Sequence, residues 1–265
     1  MEKPKVVILC GGMGTRLKEE TEFKPKPLVM VGNRPILWHI MKIYSHYGFN
    51  DFVLCLGYKG DMIKQYFRDY EFNAYDFELN LKTQKHKLLS AKDIPDWNII
   101  FANTGMNANT GARLKKIEKY IDGSTFFMTY GDGVSDVNIP ETLKFHKAHG
   151  KIGTVTTVRP TIRFGNLNIN ANNQITDFTK KATIHEGWID GGFFVFNKGI
   201  FNYLNEDDSC MLENAPLQNL SRDGQFMCYK HSGYWQCMDT FKDYEQLNEV
   251  WNSGKAPWKL WDRQL

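Results

Sequence analysis

The residues of this sequence that are best suited to chemistry are those that could bind phosphate. Gly11, Gly12 and Gly14 follow a short apolar run, and a glycine-rich turn lets backbone N–H groups approach a ligand closely. Arg16 comes two residues later, and Lys26 stands between two prolines that restrict its backbone. Guanidinium and ammonium groups pair well with phosphate oxygens. The stretch therefore predicts a site for a nucleoside triphosphate.

Two familiar phosphate-binding motifs do not match this stretch. The sequence has no Gly-x-x-x-x-Gly-Lys followed by Ser or Thr, and Leu17 stands where the dinucleotide fingerprint needs its third glycine. A plain glycine turn between a strand and the next element is the alternative interpretation. The Thr-Arg-Leu that follows Gly14 and the Lys-Pro-Lys-Pro at 24–27 argue against that alternative and against a dehydrogenase.

Two aspartates are the best candidates for holding a divalent cation. Asp132 follows a predicted buried strand and lies between glycines, so its carboxylate is presented to a ligand. Asp239 closes another predicted strand beside a helix start, where helix capping is the alternative role. Proteins usually hold Mg²⁺ with one or two carboxylates together with phosphate oxygens. The pair predicts a Mg²⁺ site beside the triphosphate.

Composition limits the class of protein. The chain of 265 residues is 42% hydrophobic and 24% charged, with a net charge of +3, which is ordinary for a soluble globular protein and too small to predict a nucleic-acid partner. No apolar run approaches the roughly 18 residues of a membrane span. Five cysteines without a Cys-x-x-Cys spacing, and no signal peptide, predict a cytoplasmic location. We interpret none of the seven scattered histidines as a metal ligand, and we expect His39, on a predicted helix, to be packed.

The elements that must position these residues alternate between strands and helices. Val6–Cys10, Phe52–Leu56 and Phe126–Tyr130 are nearly continuous apolar runs, as expected of strands that are covered on both faces. Between the first two, apolar residues from Ile36 to Tyr47 recur at helical spacing. The alternation predicts an α/β fold with a doubly wound, mostly parallel, Rossmann-like sheet.

Each of these three predicted strands ends in a polar turn that contains glycine. The turns lie at 11–12, 57–59 and 131–133. In open α/β sheets, ligands bind beyond the carboxyl ends of the strands. We therefore expect the three turns to meet at one edge of the sheet and to form the site.

The second half of the chain has a different pattern. Short strand-like runs are predicted at 154–158, 167–169, 175–178, 193–196, 225–229 and 234–238, and a closing amphipathic helix follows, with Asp239 or Thr240 as its cap. We expect one domain over 1–265, with a nucleotide-binding half at 1–150 and a smaller, β-rich, acceptor-binding extension at 151–265. Residues 71–96 include a basic stretch, predicted to be a solvated face, with a hairpin that reaches a neighbouring subunit as the alternative.

Taken together, these motifs resemble those of the sugar-1-phosphate nucleotidyltransferases. Gly-Gly-x-Gly-Thr-Arg-Leu followed by Pro-Lys-Pro is the signature of that family. Further segments, which cover the chain from about residue 5 to 261, resemble its glucose-1-phosphate cytidylyltransferase branch. They are Pro-Ile-Leu-Trp-His-Ile-Met at 35–41, Tyr-Gly-Asp-Gly at 130–133, Gly-Gly-Phe-Phe at 191–194, Tyr-Trp-Gln-x-Met-Asp-Thr at 234–240 and Gly-Lys-Ala-Pro-Trp-Lys at 254–259.

The resemblance implies roles for individual residues. Arg16 and Lys26 would be catalytic, and Asp132 and Asp239 would ligate Mg²⁺. Arg113 would donate to the acceptor edge of a pyrimidine. The nucleotide-binding residues would be Leu9, Gly11, Gly12, Gly14, Thr15, Tyr58, Thr104, Gly105, Thr110, Gly111 and Arg113. The family's usual glycine is replaced by Ala112, which is a mild departure.

The acceptor-binding residues depart further from the family. Lys180, Lys181, Asp190 and Gly191 would form this pocket, and Lys181 keeps the lysine that holds the acceptor phosphate. Relatives have glutamate where this chain has Lys180, and asparagine where it has Asp190. Because mismatched hydrogen-bonding groups can change specificity by orders of magnitude, these two residues leave the acceptor open.

Together with the phosphate-binding turn and the two aspartates, the resemblance implies a Mg²⁺-dependent cytidylyltransferase. It would convert CTP and a phosphorylated acceptor, by default glucose 1-phosphate, to a CDP-linked product and pyrophosphate for bacterial surface polysaccharide. The alternatives are another sugar phosphate or a zwitterionic phosphorylated compound as acceptor and, more remotely, a nucleotide-sensing relative without catalysis. The resemblance also implies a homo-oligomer, a hexamer, in which neighbouring subunits help to bind the nucleotide.

Overall fold

The structure is a computed structural model that describes residues 3–89, 94–159, 166–169, 174–179 and 187–262. Its strands are β1 (Val6–Leu9), β2 (Met30–Val31), β3 (Arg34–Pro35), β4 (Asp51–Leu56), β5 (Phe77–Asn80), β6 (Lys85–Leu88), β7 (Asn98–Asn103), β8 (Thr125–Tyr130), β9 (Gly133–Ser135), β10 (Gly153–Val158), β11 (Asn166–Ile169), β12 (Ile175–Thr179), β13 (Ile189–Asn197), β14 (Phe226–Lys230) and β15 (Trp235–Cys237). Its α-helices are α1 (Lys18–Thr21), α2 (Ile36–His46), α3 (Gly60–Arg68), α4 (Tyr70–Ala74), α5 (Thr110–Lys116), α6 (Ile139–His149), α7 (Ala215–Arg222) and α8 (Phe241–Asn252). Short 3₁₀ helices lie at Thr15–Leu17, Lys26–Leu28, Glu118–Tyr120, Lys198–Tyr203 and Leu260–Asp262.

Seven strands form one mixed sheet in the order β14-β10-β13-β8-β1-β4-β7. Strand β1 runs parallel to both of its neighbours, β4 and β8. At the two edges of the sheet, β7 runs parallel to β4 and β14 runs parallel to β10. Strand β13 runs antiparallel to β10 and β8. The predicted mostly parallel, Rossmann-like sheet is therefore confirmed, with β13 as an antiparallel insertion between two parallel groups.

Both faces of the sheet are buried, as strand β1 shows. Val6 and Ile8 pack in one apolar cluster with Ile40 of α2. Val7 packs in a second cluster with Leu114 of α5. Because successive side chains of a strand point to opposite faces, a strand buried on both faces needs the continuous apolar run seen in the sequence.

The first predicted helix is confirmed as α2. Pro35 lies at its N-cap, where its φ of −61° and ψ of 151° are extended. His39 of this helix is fully buried and contacts the Val31 carbonyl oxygen at 2.9 Å through Nε2. Burial lowers the pKa of His39 to about 4, so its imidazole is neutral and packed, as predicted.

The second half of the chain extends the same sheet. Strands β10, β13 and β14 join it, whereas β11 and β12 form a separate antiparallel pair and β15 pairs with β9 from the first half. Helix α8 is the predicted closing helix, and a short 3₁₀ helix follows it at Leu260–Asp262. Thr240 is the N-cap of α8, in a capping box with Asp243. Of the two residues predicted as possible caps, Asp239 and Thr240, the structure shows that Thr240 is the cap.

Strands β5 and β6 form an antiparallel hairpin within the stretch that is poorest in sequence signals. Lys82, Lys85, His86 and Lys87 are all exposed, and Lys92 lies outside the described residues. The exposure agrees with the predicted solvated face, and the hairpin agrees with the alternative, so contact with a neighbouring subunit stays a prediction. In the part of the chain that the structure describes, no helix has the length and apolar character needed to cross a membrane.

Candidate active site

The glycine-rich turn begins where β1 ends and contains two positions that require glycine. Gly14 has a φ of +64°, and a Cβ there would lie 2.9 Å from Cγ2 of Thr21. At Gly11, a Cβ would collide with the guanidinium of Arg113. The turn therefore bends sharply at Gly14 and allows the arginine to approach the backbone at Gly11.

The turn lines a cavity of about 330 Å³ at the carboxyl edge of the sheet. This cavity brings together most of the residues predicted for nucleotide binding and catalysis. It includes Leu9, Gly11, Gly12, Gly14, Thr15, Arg16, Lys26, Thr110, Arg113 and Asp132. The expected meeting of the turns after β1 and β8 is thus observed, and the Gly11 carbonyl oxygen accepts the Tyr58 N–H of the turn after β4 at 3.2 Å.

Four of the predicted nucleotide-binding residues lie apart from this lining, namely Tyr58, Thr104, Gly105 and Gly111. Tyr58 borders a neighbouring cavity of about 410 Å³, which also contacts Thr15. Thr104 is buried beneath the cavity, where its hydroxyl donates to the Leu56 carbonyl oxygen at 2.7 Å. At Gly111, a Cβ would lie 2.7 Å from Sγ of Cys210, so this glycine allows close packing against a neighbouring loop.

Lys26 joins the two predicted metal ligands. Its Nζ lies 2.6 Å from Oδ2 of Asp132 and 2.8 Å from Oδ1 of Asp239. Arg16 approaches Asp239 from the other side, with Nη1 at 2.9 Å from Oδ2. Burial alone would lower the pKa of the Lys26 ammonium, but the two carboxylates outweigh it and raise this pKa. The cluster therefore holds two anions and two cations in contact.

This arrangement fits a divalent cation. The Lys26 ammonium occupies the point at which one oxygen from each of Asp132 and Asp239 converges, so a positive charge is already accommodated there. Carboxylate oxygens are the hard ligands that Mg²⁺ prefers, and Mg²⁺ commonly takes its remaining ligands from water and substrate phosphates. Since Thr240 caps α8, the Asp239 side chain is available to this cluster.

Arg113 has a structural role that the sequence did not reveal. Its side chain is 4% exposed, and it donates from Nη1 to the carbonyl oxygens of Leu56 (3.1 Å) and Gly105 (2.7 Å). Its Nη2 donates to the carbonyl oxygen of Gly11 at 3.0 Å. One guanidinium thus ties the last residue of β4 to the chain segments that follow β1 and β7. Contact with a pyrimidine remains a prediction for the part of Arg113 that lines the cavity.

A smaller cavity of about 60 Å³ adjoins the first and contains the predicted acceptor residues Asp190 and Gly191. The Gly192 N–H donates to Oδ1 of Asp190 at 2.7 Å, and Nε1 of Trp235 donates to the Gly191 carbonyl oxygen at 2.7 Å. Although Asp190 as a whole is exposed, partial burial of its carboxyl group raises the pKa to about 6, and Glu213 adds to this effect.

The other predicted acceptor residues, Lys180 and Lys181, lie outside the described residues. Tyr130 was not among the predicted site residues, yet it lines both cavities, as does Asp132. The signal that could have identified it is its position as the last residue of β8, because the carboxyl ends of parallel strands carry ligand-binding residues.

Comparison with known proteins gives a consistent result. The model of the family described as nucleotidyl transferase matches residues 5–253. The glucose-1-phosphate cytidylyltransferase of Salmonella typhimurium is 44% identical over 259 residues, which is 97% of this chain and 100% of that protein. The probable glucose-1-phosphate cytidylyltransferase of Bacillus subtilis is 42% identical over 257 residues, again 97% of this chain and 100% of that protein.

Solved structures share the fold. A putative glucose-1-phosphate thymidylyltransferase from Bacillus anthracis, in complex with a sucrose, has a TM-score of 0.68 at 17% identity and covers 99% of this chain and 97% of its own. HddC from Yersinia pseudotuberculosis has a TM-score of 0.67 at 22% identity and covers 94% of this chain and 100% of its own. At these identities, the likeness supports the architecture alone.

Proposed function

This chain belongs to the nucleotidyl transferase family, and we propose that it is the cytidylyltransferase that joins CTP to a sugar 1-phosphate, with glucose 1-phosphate as the default acceptor. The observation that carries the proposal is the meeting of Lys26 and Arg16 with Asp132 and Asp239 beside a glycine-lined cavity. The names of the relatives in Salmonella typhimurium and Bacillus subtilis support CTP and glucose 1-phosphate as substrates. The product would serve the synthesis of bacterial surface polysaccharide.

The proposed reaction needs two polyanions to be brought into line. An oxygen of the acceptor phosphate attacks the α-phosphorus of CTP, and the bond from that phosphorus to the departing pyrophosphate breaks. Positioning and charge neutralisation contribute most to such a transfer. Arg16 and Lys26 would neutralise the triphosphate, and Lys26 would stay with the charge as it passes to pyrophosphate.

Nucleotidyltransferases of this family generally use a divalent metal, and we propose Mg²⁺, held by Asp132 and Asp239. When bound, Mg²⁺ supplies positive charge to the phosphate oxygens of the substrates. The Lys26 ammonium occupies the same point between the carboxylates, so Lys26 would have to leave at least one of them if both carboxylates held a metal. The triphosphate offers Lys26 replacement partners, since ammonium groups pair well with phosphate oxygens.

The remaining predicted roles are part of the same proposal. The first half of the chain would bind CTP and the second half the acceptor phosphate, with Lys181 as its counter-ion and Lys180, Asp190 and Gly191 around the sugar. A homo-oligomer, with a hexamer as the expected form, would complete the enzyme. The free thiol state of all five cysteines supports a cytoplasmic location.

A different acceptor is favoured by one observation at Asp190. Its carboxyl group lies in the smaller cavity with a pKa raised to about 6. Above that pH the group is an anion that can only accept hydrogen bonds, whereas an amide would donate as well. An acceptor that carries an amine or an additional donor group would suit the anion better than glucose 1-phosphate does.

Pyrophosphate release by the purified protein tests the proposed function. Each of CTP, UTP, ATP and GTP is supplied with Mg²⁺ and, in turn, with glucose 1-phosphate, other sugar 1-phosphates, phosphoethanolamine and phosphocholine. We expect turnover with CTP and a sugar 1-phosphate, and a preference for CTP over each purine nucleotide. Comparable turnover with ATP or GTP would refute the cytidylyl assignment, and no turnover with any pair would support the sensing alternative.

A further inference from the structure

A loop from the second half of the chain holds the helix that carries Thr110 and Arg113. In this loop, residues 208–213, the Asp208 carbonyl oxygen accepts the Asn109 N–H at 2.9 Å. The Cys210 carbonyl oxygen accepts the Ala112 N–H at 3.0 Å. Two N–H groups at the start of α5 are thereby satisfied by the loop, which fixes the helix end against it.

Glu213 ends this loop with a bridge between two residues of the nucleotide cavity. Its Oε2 accepts the Thr110 hydroxyl at 2.6 Å, and its Oε1 accepts the Tyr130 hydroxyl at 2.5 Å. The Thr110 oxygen in turn accepts the Leu212 N–H at 2.9 Å. Glu213 lies at the surface, yet both of its carboxylate oxygens are engaged, which is the geometry of a group that positions its neighbours.

Tyr130 is the partner through which Glu213 can influence substrate choice. Its ring lines both the larger and the smaller cavity. The ring packs closely over Gly192, where a Cβ would lie 2.8 Å from Cδ2 of Tyr130. The Tyr130 phenol donates to Glu213, so the carboxylate holds the outer end of this ring.

We propose that Glu213 is a positioning residue that holds the Tyr130 ring as the partition between the two cavities and thereby limits the size of the acceptor. The inference rests on the proposed function. The smaller cavity, about 60 Å³, has little room, so a shift of the ring changes which sugars fit. A misplacement of about 1 Å can change a rate by about 100-fold, so the anchor on the phenol affects selectivity.

The test compares two acceptors of different size at saturating CTP and Mg²⁺. The kcat/KM values for glucose 1-phosphate and for N-acetylglucosamine 1-phosphate are measured for the wild type, Glu213→Ala, Tyr130→Phe and the double variant. We expect Glu213→Ala to lower the preference for the smaller acceptor by about tenfold or more. Tyr130→Phe, which keeps the ring but loses the anchor, should reproduce this change, and the double variant should add less than about twofold because both changes remove one interaction.

Two further variants separate positioning from a loss of structure. Glu213→Gln keeps an oxygen for the Tyr130 hydroxyl, so it should retain the wild-type preference even if Glu213→Ala fails to fold. Glu206→Ala, which removes an exposed acid on the same connection, should leave the preference unchanged. An equal loss for both acceptors, or effects of Glu213→Ala and Tyr130→Phe that add, would overturn the inference. If the wild type is active and Tyr130→Phe leaves the preference unchanged, the inference is overturned but the proposed function stands. If the wild type is inactive, the proposed function is overturned as well.

Discussion

The candidate site contains two pairs of acidic residues, and they are held in different ways. Asp132 and Asp239 contact the ammonium of Lys26, and Asp239 also contacts the guanidinium of Arg16. Asp190 and Glu213 accept from neutral donors, which are a backbone N–H for the first and two hydroxyl groups for the second. The first pair is compensated by charge and the second by neutral hydrogen bonds.

The difference indicates what each pair can do. Counter-ions can be exchanged, so a carboxylate pair that holds an ammonium can hold a divalent cation when the ammonium finds a phosphate instead. Neutral donors do not cancel the negative charge of Glu213, and this charge contributes to the raised pKa of Asp190. We therefore propose that the first pair serves the reaction and that the second pair influences the choice of acceptor.

Neutralising the first pair has the largest expected effect. Asp132→Asn and Asp239→Asn each remove a charge from the proposed metal site and little volume, so kcat should fall by about 1,000-fold or more while the melting temperature stays near that of the wild type. Steady-state kinetics at saturating Mg²⁺ provide the measurement. Asp190→Asn is the matched control and should keep kcat within about tenfold, so equal losses from both pairs would remove the distinction between them.

Replacing Lys26 should separate its two roles. Lys26→Met should lower kcat by about 100-fold, because the departing pyrophosphate loses its counter-ion. The same variant should bind Mn²⁺ without nucleotide about tenfold more tightly, because no ammonium competes for the carboxylates. Isothermal titration calorimetry measures the second effect, with Lys24→Met, which removes a lysine paired with Glu20, as the control. Unchanged Mn²⁺ affinity in Lys26→Met would mean that Lys26 does not hold the site in the free enzyme.

Restoring the family's acceptor residues tests the second pair. If the natural acceptor is not glucose 1-phosphate, the double change Lys180→Glu and Asp190→Asn should raise kcat/KM for glucose 1-phosphate by about tenfold, since polar groups that were mismatched become paired. Lys181→Met should lower kcat/KM for every acceptor, because the phosphate loses its cation. If the wild type already uses glucose 1-phosphate efficiently and the double change only lowers kcat/KM, glucose 1-phosphate is the acceptor.

The smallest expected effect is a dependence on pH. Because the Asp190 carboxyl group has a pKa of about 6, it loses its proton, and with it a hydrogen-bond donor, as the pH rises through that value. With glucose 1-phosphate as the acceptor, the ratio of kcat/KM for wild type to that for Asp190→Asn should therefore fall by about three- to tenfold between pH 5 and pH 8. Taking the ratio cancels the ionisation of the acceptor phosphate itself, which also lies near pH 6. A flat ratio would show that Asp190 does not face the acceptor.

The parts of the fold that could be predicted depend on local signals. A buried strand followed by a glycine turn is visible in a few consecutive residues, and the rule that ligands bind at the carboxyl edge then brings Lys26 and Asp132 together, as observed. The antiparallel β13 had no such signal. The direction of β13 depends on its two neighbours in the sheet, β10 and β8. The packing of the whole sheet determines which strands become its neighbours.

The contacts that could not be predicted join residues that are distant in the sequence. Glu213 meets Tyr130 across 83 positions and Thr110 across 103, and none of the three stands in a motif that would suggest the others. Arg113 donates to backbone carbonyl oxygens. Because every residue has a carbonyl group, the sequence does not indicate which of them Arg113 contacts. Sequence patterns therefore identify the reacting groups better than the groups that hold them in place.

The central claim is that Asp132 and Asp239, and not Asp190 and Glu213, hold the metal on which cytidylyl transfer depends. Titration of Mn²⁺ into enzyme saturated with a CTP analogue that resists cleavage between the α- and β-phosphates tests this claim most directly, with electron paramagnetic resonance reporting bound Mn²⁺. We predict that the wild type and Asp190→Asn bind Mn²⁺ with affinities within about threefold of each other, whereas Asp132→Asn binds at least about tenfold more weakly. Binding by Asp132→Asn as tight as that of the wild type, or weakened binding by Asp190→Asn alone, would contradict the claim.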